Sequence, residues 1–317
     1  CLRRGGSGVL RLGGDAGDTD LVVKRPADNG QTWGETIMVW NDGSNTCGNP
    51  VPVIDESNGR VILLMTWNLG EDNLGAINAG TSKDTRRVFV TSSDDEGKTW
   101  AAAKEITKAV KQPGWGWYGT GPCHGIQLKQ GKYAGRLVVP CDYMSLKTAG
   151  SASCDSAHII YSDDHGATWK LGGIVNRDHA AESSVAELSS GQLTLNIRNS
   201  SGGARLVASS ADGGITWQDA HADYSLVDPV CQGSVLSDGK TLFFSNPAST
   251  QRENMTIKMS ADDGGTWPKS YRVYSGPSAY SDIVMLSDTH IGIFYEAGLK
   301  KPYEGIVFRI IPIADFK

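Results

Sequence analysis

The stretch Ser93–Trp100, SDDEGKTW, is written again as SDDHGATW (Ser162–Trp169), SADGGITW (Ser210–Trp217) and SADDGGTW (Ser260–Trp267), with a degraded fifth copy, PADNGQTW, at Pro26–Trp33. The shared form is Ser-x-Asp-x-Gly-x-Thr-Trp, with Pro26 in place of the first serine in the degraded copy. A short carboxylate can accept hydrogen bonds from backbone N–H groups just ahead of it, and a glycine two residues later tolerates positive φ. The motif therefore predicts a hairpin tip, with Thr-Trp opening the outgoing strand and the indole covering the turn.

The five aspartates, Asp28, Asp95, Asp164, Asp212 and Asp262, recur at intervals of 48 to 69 residues, the spacing of a repeated supersecondary unit. Between them lie runs such as GRVILLMTW, RRVFVTS, GQLTLNIRN, KTLFFSN and GIVFRII, short and β-rich and bounded by Gly, Asp, Asn or Ser. Repeats of this length built of short strands predict propeller blades, whose radial arrangement leaves only short edges. Only Ala101–Val110, AAAKEITKAV, departs from the pattern, and it reads either as a helical turn or as a strand with a loop.

Composition limits the partners. A chain of 317 residues, 39% hydrophobic, can bury a large core as one all-β domain, and a net charge of −5 gives no reason to expect nucleic acid or an anionic membrane surface. No apolar run is long enough to span a bilayer, and CLRRGGSGVL is not a signal peptide. The six cysteines are too scattered for a disulfide scaffold and read as small buried hydrophobes, and the six histidines lack metal-ligand spacing. No metal or cofactor is expected.

The repeated turn, together with four further segments, resembles the sialidases (neuraminidases) of the Asp-box type, and the resemblance runs over nearly the whole chain. In that family the boxes are structural turns away from the active site. The segments are ESSVAELSSGQLTLNIRN, with Glu182 and Arg198 at its two ends; FFSNPASTQRENMTIKMSADDGGTW, with Arg252; GPSAYSDIVML, with Tyr280; and GDAGDTDLVVKRPADNGQTW ahead of the first box. The resemblance implies an all-β, six-bladed β-propeller with four-stranded antiparallel blades, a single catalytic domain over 1–317. It also implies sialylated glycans as substrates and a secreted or periplasmic, monomeric exo-α-sialidase.

It further implies roles, each with a physical reason. A sialic acid carries its carboxylate on the anomeric carbon, so planar guanidinium forks suit its recognition, and Arg198 and Arg252 supply two. A carboxylate nucleophile would meet like-charge repulsion there, whereas a tyrosine, Tyr280, would not, provided that Glu182 takes its proton. An acid must protonate the leaving oxygen; Asp15, Asp18 and Asp20 compete, and the family pattern selects Asp15, while Asp20 looks like a strand-start residue.

Asn49, Tyr143 and Gln232 match pocket-lining positions, with turn, packing or bulge roles as the alternatives. Sialidases carry a first arginine in an Arg-Ile-Pro motif that this sequence lacks. Arg3 and Arg4 stand too close to Asp15 to leave room for a full strand and loop, so the chain reads as missing its natural start. A sialic-acid-binding propeller without turnover and a trans-sialidase are the rival readings.

Overall fold

The structure, a computed structural model, describes residues 2–5, 16–26, 30, 32–147 and 154–317. It divides into two compact units, one of residues 1–127 and 135–172, the other of residues 128–134 and 173–317.

In the first unit, strands β1 (Leu2–Gly5), β2 (Thr19–Val23), β3 (Ile37–Trp40), β4 (Thr46–Asp55), β5 (Arg60–Asn68), β6 (Arg87–Ser93) and β7 (Lys104–Glu105) form one sheet. A second sheet holds β8 (Trp115–Thr120), β9 (Ile126–Gln127), β10 (Leu137–Ser145), β11 (Asp155–Ser162) and β12 (Lys170–Ile174), the last of which runs into the second unit. Val51, Val53, Leu64, Val139, Ile160 and Trp169 join in a core from which water is excluded.

The second unit holds a four-stranded sheet of β13 (Ala180–Glu187), β14 (Leu193–Asn199), β15 (Gly203–Ser210) and β16 (His221–Asp228). A six-stranded sheet follows, made of β17 (Ser234–Ser237), β18 (Leu242–Pro247), β19 (Glu253–Ser260), β20 (Lys269–Ser287), β21 (His290–Ala297) and β22 (Gly305–Pro312). Met255, Ile257, Ile283, Ile293 and Ile311 are buried beneath it.

The all-β expectation holds, but the strands sort into four sheets of seven, five, four and six strands rather than six sheets of four. Two joins account for the difference. In the first sheet, β2 meets β4 through the single parallel pair Thr19–Thr46. In the last, the 19-residue β20 pairs with β19 along its first half and with β21 along its second. The Ala101–Val110 window contains both of its alternatives, the short β7 and then one helical turn at Thr107–Val110. Arg3 and Arg4 lie on a strand, since β1 pairs antiparallel with β2 and sets Arg3 opposite Leu21.

The four complete repeats fold alike. In each, the serine hydroxyl donates to the aspartate Oδ1, at 2.8 Å in Ser93–Asp95, 2.7 Å in Ser162–Asp164, 2.8 Å in Ser210–Asp212 and 2.7 Å in Ser260–Asp262. The same Oδ1 accepts the threonine N–H at 2.9, 2.9, 2.9 and 2.8 Å, and Oδ2 accepts the threonine hydroxyl at 2.6, 2.5, 2.6 and 2.8 Å. The glycine N–H returns to the serine oxygen, and Gly97, Gly166, Gly214 and Gly264 all have φ between +82° and +92°. Two indoles cover the turn as the sequence predicts, with the nearest ring carbon of Trp100 3.6 Å from the Cβ position of Gly97 and that of Trp267 3.7 Å from that of Gly264. Asp28 of the degraded copy lies outside the described residues.

These bonds favour the ionised carboxylate. The Thr168 hydroxyl and N–H, with Ser162, hold Asp164 down to about 2 against an unfolded value near 3.9. A depressed carboxylate stabilises the fold above its unfolded value, and that contribution is lost as pH falls toward the folded one. Asp164→Asn is therefore expected to lower the melting temperature by a few degrees at neutral pH, and the deficit should close between about pH 4 and about pH 2. Thermal melts of both proteins across that range check this; a deficit independent of pH would contradict it.

Candidate functional site

The β13–β14 ladder pairs Ser183 with Ile197, and its register slips between Ala180 and Ser183. Glu182 and Arg198 therefore stand side by side on adjoining strands, the carboxylate 14% and the guanidinium side chain 22% exposed, so both are reachable from solvent. Arg198 Nη1 donates to Glu182 Oε2 at 2.5 Å.

Tyr280 is brought to the same pair from β20, 98 residues further along the chain. Its hydroxyl donates to Glu182 Oε1 at 2.5 Å and accepts from Arg198 Nη1 at 3.0 Å. The three side chains close a triangle of charge-assisted hydrogen bonds. Burial, and then the neighbouring Glu182 carboxylate, push the phenol well above its ordinary value near 10, so Tyr280 is protonated at neutral pH and needs a base to become a nucleophile. Glu182 already holds that proton's hydrogen bond. Burial works against the Arg198 charge, but Glu182 and Tyr280 more than offset it and the guanidinium remains a cation. Its Nε is buried without a partner among the described residues.

Arg252 lies in the connection between β18 and β19. Its carbonyl accepts the Ser278 N–H at 2.9 Å, two residues before Tyr280, and its guanidinium carbon is 5.7 Å from the Tyr280 ring centre and 5.8 Å from that of Tyr303. Nη1 donates to the Tyr303 hydroxyl and Nη2 to the Val230 carbonyl, the latter at 2.5 Å. Val230 adopts φ +57°, a left-handed conformation rare for a β-branched residue, which persists only where the surroundings enforce it.

Those surroundings are an ion pair with no exposed surface. Arg205 donates to Asp228 Oδ2 at 3.1 Å, to Asn196 Oδ1 at 2.7 Å and to the Cys231 carbonyl at 2.6 Å. Asp228 in turn accepts the N–H groups of Asn199 and Cys231 at 2.9 and 3.0 Å. The pair thus fixes the main chain on both sides of Val230 and next to Arg198.

Glu182, Arg198, Arg252 and Tyr280 are thus brought together within the second unit. Gln232 is fully buried, with its amide spent on main-chain groups, so a pocket-lining role does not fit its position. Asn49 and Tyr143 belong to the first unit. Asn49 sits at a β-bulge with φ +49°, its Oδ1 accepting from the buried Arg86 at 2.7 Å. Tyr143 stacks on Trp115 at 3.7 Å with 6° between the planes. Asp15 lies outside the described residues, while Asp18 is exposed and Asp20 is buried, accepting from Asn41 at the start of β2.

Sequence reasoning missed Tyr303, Val230, the Arg205–Asp228 pair and Glu296. Glu296 Oε2 accepts the Tyr280 N–H at 3.2 Å, and burial pushes its carboxyl above the ordinary value. None belongs to a repeated turn or a motif; only their partners in space reveal them. Among the described residues no group of three His, Cys, Asp or Glu could hold a metal ion, and no helix is long and apolar enough to cross a membrane.

Comparison with known proteins identifies the family. The BNR repeat-like domain family matches residues 9–293. A sialidase of Micromonospora viridifaciens is 33% identical over 89% of this chain and 45% of its own length, and a sialidase of Bacteroides fragilis is 32% identical over 93% and 56%. The chain thus spans about half the length of these curated relatives. Among solved structures, a Hadza microbial sialidase superposes with a TM-score of 0.83 at 32% identity, covering 94% of this chain and 60% of that one. The intramolecular trans-sialidase from Ruminococcus gnavus superposes at 0.78 with 20% identity over 96% and 91%, a likeness of fold.

The buried pair makes a stability prediction. Removing one partner of a buried ion pair leaves an uncompensated charge, so Arg205→Met is expected to cost about 3–5 kcal/mol in urea unfolding. A loss below about 1 kcal/mol would mean that Asp228 and Cys231 are held by other groups.

Proposed function

The chain is a member of the sialidase family of BNR-repeat proteins, and from that premise we propose that it is a retaining exo-α-sialidase that removes terminal sialic acids from glycoproteins, glycolipids or oligosaccharides. The observation that carries the reading is the contact of Tyr280 with both Glu182 and Arg198.

Arg198 and Arg252 receive the substrate carboxylate, each through a fork that a lysine cannot reproduce. Tyr280 Oη attacks the anomeric carbon as its proton passes to Glu182 Oε1, while Arg198 beside the same oxygen stabilises the negative charge that develops. Asp15 protonates the departing glycosidic oxygen, then takes a proton from the water that attacks the tyrosyl–glycosyl bond. Tyr280 leaves and recovers its proton from Glu182. The neutral phenol avoids the repulsion that an Asp or Glu nucleophile would meet beside the substrate carboxylate. The donor sites of Arg198 and Arg252 call for no metal.

The same reading takes the strands as a six-bladed propeller. Separating the first sheet at the Thr19–Thr46 pair, and the last along β20, leaves six antiparallel groups. With sialosides outside the cytoplasm as substrate, the protein acts as a secreted or periplasmic monomer.

Hydrolysis of a fluorogenic sialoside is the direct test, run with and without lactose as acceptor. Release of free sialic acid in both cases supports the hydrolase, whereas transfer to lactose would identify a trans-sialidase and binding without release a lectin-like propeller. Tyr280→Phe is expected to lower kcat at least about a hundredfold without loss of fold, and near-normal turnover would refute the nucleophile. Arg198→Lys and Arg252→Lys should each raise KM roughly tenfold or more; unchanged KM in both would place the carboxylate elsewhere.

A further inference from the structure

We infer that Gln232 is a positioning residue for this reaction: its amide clamps the main chain of Ser281 and so fixes the β-bulge on which Tyr280 stands. The inference rests on the role proposed for Tyr280, and its test is chosen so that the two can fail separately.

The ladder between β20 and β21 pairs Ser278 with Ala297 and resumes at Ser281 with Tyr295, so the register slips across Tyr280. A bulge aims a side chain at the expense of ladder hydrogen bonds, and the peptide groups it frees must find other partners. Here they are taken by side chains. Glu296 accepts the Tyr280 N–H at 3.2 Å. Gln232 takes both main-chain groups of the next residue: its Oε1 accepts the Ser281 N–H at 3.0 Å and its Nε2 donates to the Ser281 carbonyl at 3.0 Å. The remaining Nε2 proton goes to the Gly233 carbonyl at 3.0 Å. One fully buried amide is thus satisfied on both its atoms, and its spacing matches the peptide it faces.

The strand beyond is held from the same side. Ser234 donates to Asp282 at 2.8 Å and accepts the Ile283 N–H at 3.3 Å, and Ser281 shares a 2.8 Å hydroxyl contact with Ser245. The segment that carries Gln232 also carries Val230, whose carbonyl receives Arg252. A single short stretch therefore sets both the guanidinium and the phenol. Because the Tyr280 hydroxyl stands at the far end of a long rigid side chain, a small shift of the bulge becomes a larger displacement from Glu182.

The test compares wild type with Gln232→Met, of similar length but without the amide, and Gln232→Asn, which keeps the amide one methylene short. Both are expected to lower kcat on a fluorogenic sialoside by roughly ten- to a hundredfold, the cost of about an ångström of misplacement, with KM changed less than about threefold. A second readout does not depend on turnover: the phenol of Tyr280, identified by its loss in Tyr280→Phe, should titrate at lower pH in both variants as it moves out of its buried contact with Glu182. Circular dichroism identifies the folded variants. If Gln232→Met does not fold, Gln232→Asn decides. Retained kcat with an unmoved titration overturns the inference, and a raised KM with unchanged kcat would instead make Gln232 a substrate contact. A wild type that turns over no sialoside would sink the proposed function, while the titration would still judge the clamp.

Discussion

A 2.5 Å hydrogen bond from the Tyr280 hydroxyl to Glu182 ties the last sheet of the chain to the four-stranded sheet before it, and the arrangement of the site follows from what that bond requires. The phenol, neutral at pH 7 even at its ordinary value, must stay reachable. The carboxylate beside it asks for a cation, which Arg198 provides by donating through one nitrogen to Glu182 Oε2 and to the Tyr280 hydroxyl. An aromatic hydroxyl, an acid and a guanidinium brought within hydrogen-bonding distance would each be costly to bury alone; together each satisfies the others.

The expense falls on the support. Val230 is held left-handed, Arg205 and Asp228 are ionised with no exposed surface, and a bulge interrupts the ladder beside Tyr280. Local strain of about 1–3 kcal/mol persists only where surrounding contacts over-determine it. Here the contacts are specific: Arg205 and Asp228 grip Cys231 by both its N–H and its carbonyl, one residue beyond the strained valine. The repeated turns serve the opposite purpose. Each is self-contained, with its aspartate satisfied within eight residues of chain, so strands can be joined repeatedly without drawing on the site.

Legibility in the sequence follows the same division. The turns are local, so their pattern of Ser, Asp, Gly, Thr and Trp announces itself, and with it the all-β class. Glu182, Arg198, Arg252 and Tyr280 were legible because a resemblance named them; the spacing of 16 residues between the first two also matches a strand, a turn and a strand. Gln232 was misread because sequence gives a residue's neighbourhood but not the direction its amide faces: a pocket-lining glutamine and a buried clamp look the same. Val230 could not be foreseen, since propensity assigns valine to extended backbone. The blade count was not settled by repeats either, because whether β20 serves one sheet or two depends on a continuous strand that no turn signal interrupts.

The central claim is that Tyr280 forms a covalent bond to the sugar while Glu182 holds its proton. The most direct measurement is intact-protein and peptide mass spectrometry after reaction with a sialosyl fluoride that carries a second fluorine beside the anomeric carbon, which slows release of the intermediate more than its formation. The account predicts one added sialosyl group, located on the peptide containing Tyr280 and absent from Tyr280→Phe. Labelling of Glu182 or any other residue, or turnover of the reagent with no adduct on the Tyr280 peptide, would contradict it.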